Sequence, residues 1–135
     1  ALTAIPHALA PGDIVLIRTG RDAFYGQDDY MHRGPGVTAA ATRWIYEQGV
    51  RVMGIDAWGW DRPLRAQAAD ALERDEAGIF WEAHQADLDY SQIERLVNLA
   101  ELPPTGFKIA CFPLRIARAS AARVTSRLRR WHGVP

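Results

Sequence analysis

The chain has 135 residues, 48% of them hydrophobic and 24% charged, which suits a single soluble globular domain spanning 1–135. Sixteen basic residues balance sixteen acidic ones, so no global field draws the molecule to nucleic acid or to an anionic membrane. Cys111 is the only cysteine, which excludes an internal disulfide and a thiolate-rich zinc cage. A lone cysteine within an apolar run reads as a small core residue and suits a cytoplasmic location. No apolar stretch approaches the length of a membrane span.

Pro11-Gly12 marks a loop, and the β-branched run Asp13–Thr19 follows. Its nearly continuous apolar stretch predicts a strand covered on both faces, as in a layered α/β sheet. Gly20 to Gly36 is polar and glycine-punctuated, a long loop of the kind that carries function or an interface. Thr38 is placed to cap a helix with Ala40, Ala41, Trp44 and Ile45 on its apolar face. Gly49 is placed to end that helix in the left-handed conformation. Val50–Ile55 returns as a second buried strand, and strand, helix and strand in this order predict a parallel pair.

Leu64–Asp75 is rich in helix formers. Ile79–His84 is apolar and aromatic, and reads equally as a strand or a helix end. Ile93–Leu99 and Phe107–Leu114 read as strands separated by the turn Pro103-Pro104-Thr105-Gly106. Ser120 is placed to cap a terminal helix running to about Trp131. Arginines 115, 118, 123, 127, 129 and 130 crowd this end without acids or aromatic interleaving, a pattern of a solvated or interfacial face rather than nucleic-acid binding.

The four histidines, His7, His32, His84 and His132, form no HxH, HxxxH or HExxH pattern. Gly34-Pro35-Gly36 before a capped helix could cradle an anion, but it lacks a Walker lysine and reads better as a turn that launches the helix. Ser91, Ser120 and Ser126 have no nucleophile-elbow context. Gly54–Pro63 leaves a buried strand and places two acids and two tryptophans in one loop, where layered α/β folds gather their ligand sites. There Trp58 and Trp60 form one wall of an aromatic pocket or anchor the loop, while Asp56 and Asp61 hold the loop or meet polar groups. In Phe80–Glu94, His84 lies beside aromatics and ahead of several acids. One imidazole and one carboxylate suit zinc or manganese without completing a site, and Glu82 or Asp87 could support the imidazole from behind.

Four blocks in order, PGDIVLIRTG, RGPGVTAAATRWIYEQGVRVMGIDAWGWDRP, FWEAHQADLDYSQIERLVNLAELP and GFKIACFPLRI, resemble the cyclase family of metal-dependent hydrolases, which includes kynurenine formamidase and isatin hydrolase. The resemblance implies an α/β architecture of the swivelling β/β/α type. It also implies hydrolysis of an amide, lactam or related carbonyl compound, a small molecule, by water activated on zinc or manganese. His84 and Glu94 match the family's late metal ligands, with Asp87 or Asp89 as alternative carboxylates. Trp58, Trp60, Phe80 and Trp81 become the expected substrate contacts.

The family's signature H-x-G-T-H-x-D-x-P-x-H is not in this sequence. The resemblance therefore implies that the chain corresponds to the family's C-terminal portion. A preceding segment of the same enzyme would supply the remaining ligands and the general base, in a homo-oligomer, and no residue here is assigned as catalytic. A relative that keeps the fold without the chemistry, as an interaction module, is the alternative.

Overall fold

The computed structural model describes residue 5 and residues 7–130, the last five of these as backbone alone. Chain order gives β1 (Ile14–Ile17), α1 (Ala39–Glu47), β2 (Val52–Ile55), α2 (Leu64–Arg74), β3 (Ser91–Ile93), β4 (Phe107–Pro113) and β5 (Val124–Arg130). The described residues fall into two compact units, one of them Ala8–Ala100 and the other made of the described residues before and after that span. No helix among them is long and apolar enough to cross a membrane.

The first unit is built on a three-stranded sheet in the order β1-β2-β3. Both pairings are parallel, with Val15 opposite Met53 and Met53 opposite Gln92. The middle strand is the buried one: Met53 and Ile55 are enclosed, and they pack with Val37, Ile45, Val50, Ala57, Trp60 and Ala83. β1 is only half-buried throughout, so its apolar run is not covered on both faces by the residues described. Parallel strands need a crossover between them, and α1 supplies the first.

α1 begins as its sequence dictates. The Thr38 hydroxyl accepts from the Ala41 amide at 3.2 Å, answering one of the donors that a helix start leaves open. It ends at Gly49, whose φ of 89° carries little penalty in a residue without a Cβ. Its inward face differs from the expected one. Thr42 and Ile45 are buried, whereas Trp44 is 46% exposed. Thr42 turns inward because its hydroxyl has two partners: it donates to the Thr38 carbonyl and accepts from the indole of Trp60.

Two expectations are corrected. Ile93–Leu99 is not one strand. β3 stops at Ile93, and Arg95 and Asn98 take left-handed φ values of 59° and 62°, which no continuous ladder accommodates. Nor is there a helix after Ser120. β5 pairs antiparallel with β4 from Phe107 opposite Arg130 to Pro113 opposite Val124, so cross-strand pairing overrides the local helix signal. Trp131, where that helix was expected to end, lies outside the described residues, as does His132.

Candidate metal centre

The site is assembled where the parallel strands end. β2 ends at Ile55, and the next residue, Asp56, is fully buried. Its carboxylate accepts from the Thr19 amide at 2.8 Å, the Thr19 hydroxyl at 2.7 Å and the Gly20 amide at 2.7 Å. Tyr30, also buried, donates its hydroxyl to the Asp56 carbonyl at 2.8 Å. Burial and the neighbouring Asp56 charge push that phenol up from its ordinary value. The ends of β1 and β2 are thereby tied together, and the loop beyond Asp56 starts from a fixed point.

That loop is held a second time at Gly36. The Val37 amide donates to the Trp60 carbonyl at 2.7 Å, which brings the two backbones into direct contact. A Cβ on Gly36 would stand 2.0 Å from the Arg62 nitrogen and 2.2 Å from the Asp61 carbonyl carbon. The glycine-proline-glycine turn does more than launch α1; its second glycine lets the chain lie against the segment that carries Asp61.

Asp61 reaches across to the 80s loop. Its side chain is only 3% exposed, and it accepts from the Ala83 amide at 2.9 Å and the His84 amide at 3.2 Å. Its Oδ2 also sits 2.5 Å from His84 Nδ1. The imidazole thus has its supporting carboxylate in Asp61, not in the sequence-adjacent Glu82 or Asp87. On the ring's other edge, Nε2 lies 3.8 Å from Glu94 Oε1. Glu94 follows β3 directly, and its Oε1 is anchored by the Trp60 amide at 2.8 Å. The hydrogen bond to Asp61 raises the His84 pKa above its ordinary value. Partial burial opposes this, and the Asp61 and Glu94 charges add to it.

Trp81 forms the third side. Its ring stacks on the imidazole with centroids 4.7 Å apart and planes 17° from parallel. The backbone is left-handed there, φ 58°, an uncommon state for a bulky residue. Gln67 of α2, itself buried, holds it: the Trp81 amide donates to Gln67 Oε1 at 2.5 Å, and the Gln67 amide group donates to the Arg62 carbonyl.

The expected residues therefore separate. His84, Glu94 and Trp81 converge. Trp58 is half-buried, with the Arg95 guanidinium 4.8 Å above its ring. Trp60 is fully buried and gives its indole N–H to Thr42 at 2.9 Å; its ring packs the core and does not face a ligand. Phe80 lies 6.3 Å from Trp81 and lines an open groove of about 690 Å³ with Ala68, Leu72 and Gln85. Neither Asp87 nor Asp89 takes part in the Asp61–His84–Glu94 hydrogen bonds and ion pairs. Among the described residues, no group of three or more His, Cys, Asp and Glu is arranged to hold a metal ion. Read from sequence, Asp61 has no role more specific than holding its loop or meeting polar groups.

Residues 1–62 match the family model Cyclase, described as “Putative cyclase”. The structure is similar to a crystal structure of an isatin hydrolase bound to the product analogue thioisatinate, with a TM-score of 0.69 at 19% identity. The similarity covers 88% of this chain and 45% of that one, so the chain spans less than half the length of the protein it matches. In sequence over residues 1–62 the chain is similar to the Cyclase model, and over most of its length its fold is similar to that of the isatin hydrolase.

Proposed function

We propose that this chain contributes part of the active site of a metal-dependent hydrolase that cleaves an amide, lactam or related carbonyl in a small molecule. The observation that carries the reading is the facing pair His84 Nε2 and Glu94 Oε1, 3.8 Å apart. With Nδ1 engaged by Asp61, these are two electron-pair donors close enough to share one proton or cation. Both lie within reach of one ion whose bonds are about 2.0–2.2 Å long. One imidazole nitrogen and one carboxylate oxygen suit zinc or manganese. Such an ion supplies the Lewis acidity that polarises a carbonyl and lowers the pKa of water.

Two donors are fewer than a closed site requires, so the remaining ligands and the general base come from a further segment of the same enzyme. This chain's own residues hold and orient. His84 and Glu94 bind the ion, and Trp81, 43% exposed, offers an aromatic surface beside them to a flat substrate. Trp58 is the next candidate for that surface, and homo-oligomeric assembly belongs to the same reading.

The test is elemental analysis of the intact protein together with its His84→Ala and Glu94→Gln variants, and an assay of aryl-amide and lactam hydrolysis. The reading expects zinc or manganese in the parent, binding in each variant weakened by more than the roughly 10–100-fold that loss of a supporting residue costs, and loss of hydrolysis with it. A parent that holds neither metal, or variants that bind it unchanged, would overturn the assignment and leave a binding module on a cyclase-like fold.

A further inference from the structure

We infer that Asp61 is a positioning residue that keeps the neutral His84 ring in the Nδ1–H tautomer and aims Nε2 at the point that Glu94 faces. The neutral ring carries one proton, and an ionised carboxylate only accepts. Asp61 Oδ2 is 2.5 Å from Nδ1, whereas among the described residues Nε2 has no hydrogen-bond acceptor, Glu94 Oε1 at 3.8 Å lying beyond hydrogen-bond range. The proton therefore resides on Nδ1.

Asp61 is itself immobilised. Its two oxygens accept from two successive amides, Ala83 and His84, so the carboxylate registers both the backbone and the ring of the same residue. The Trp81 stack fixes the ring plane from the side. Hydrogen bond and stack together hold the ring with Nε2 on the edge nearer Glu94. That the Nε2 lone pair serves an ion rests on the metal reading above; the tautomer does not.

The experiment uses the intact, metal-free protein labelled with ¹⁵N at histidine, with ring nitrogen shifts recorded above the imidazole's titration. His84 is expected to show a proton-bearing Nδ1 and a pyridine-like Nε2. Asp61→Asn keeps an oxygen for the Ala83 amide and can present an N–H to the ring, at the loss of the 3.2 Å bond from the His84 amide. It is expected to move the proton toward Nε2 and to weaken zinc binding about 10–100-fold, with near-ultraviolet circular dichroism unchanged. A parent ring protonated at Nε2 would overturn the inference even if the variant failed to fold, and so would a folded variant with unaltered shifts. An Nδ1–H ring in a protein that binds neither zinc nor manganese upholds the positioning role and removes the metal reading. Metal binding through His84 and Glu94 with an Nε2–H ring in the free protein does the reverse.

Discussion

Thr19 gives both its amide and its hydroxyl to the buried carboxylate of Asp56, at 2.8 and 2.7 Å, and so locks the end of β1 to the end of β2. Hydrogen bonds to a charged group contribute about 1.5–3 kcal/mol each, and a buried donor left unanswered adds its own penalty. Asp56→Asn keeps the shape but sets an NH₂ group against the Thr19 or Gly20 amide. The variant is expected to lose about 2–4 kcal/mol of stability, read as a lower urea midpoint. An unchanged midpoint would mean that the clamp is not needed.

Gly36 is tested by one methyl group. In Gly36→Ala the new Cβ meets the backbone of Asp61 and Arg62 at 2.0–2.7 Å, and backbone cannot swing aside as a side-chain tip does. Overpacking of this kind costs about 1–3 kcal/mol, and the displaced segment carries Asp61. Thermal unfolding should fall, and zinc affinity should fall with it. Gly78→Ala is the control, because nothing lies within 4 Å of its Cβ; it should leave both unchanged.

The raised His84 pKa has a defined consequence for the metal-free protein. A group whose folded pKa exceeds its unfolded value stabilises the fold fully below the unfolded value, about 6.5 for histidine, and loses that contribution as pH rises through the folded value. Unfolding temperature should therefore decline through and above neutrality. Asp61→Asn, which removes the largest cause of the shift, should flatten that slope. A slope of opposite sign would contradict the geometry.

Arg21 offers a gain. Its Nε and Nη2 are buried with no hydrogen-bond partner among the described residues, although the guanidinium lies 4.3 Å above the Phe24 ring. Arginine keeps its charge, and a buried charge without a partner opposes folding. Arg21→Met retains the long side chain and removes the charge, so the midpoint should hold or rise by about 1 kcal/mol, net of the lost cation–π contact. A fall of more than that would reveal an anionic partner in the intact protein.

What could be read from the sequence was local. Thr38 and Gly49 mark the two ends of α1 because capping is decided within a few residues. The runs 14–17 and 52–55 announce a parallel pair because both are apolar and a helix separates them. Where the outcome depended on distant residues, local signals failed. Arg95 and Asn98 turn left-handed without a glycine to announce it, which cut short the strand expected over 93–99. The segment after Ser120 follows β4 rather than its own helix propensity. The candidate site shows the same division. The family's order of segments singled out His84 and Glu94, and the structure brings them within 3.8 Å of each other. The carboxylate behind His84 was sought nearby in sequence, whereas Asp61 stands 23 residues earlier, in the loop after β2, and the two meet only across the fold. Trp60 looked like a pocket wall because tryptophan in a loop signals either exposure or anchoring, and only the Thr42 partner distinguishes them.

The backbone twist at Trp81 sets backbone comfort and side-chain packing against each other. A residue without a side chain would sit in that left-handed state with less penalty, so glycine would favour the fold, yet it would leave the imidazole with one flank bare. The chain accepts a poorer backbone to keep a flat ring beside its histidine. Easing the backbone at this position and keeping the stack on the imidazole are therefore competing aims, and the tryptophan shows which of them prevails here.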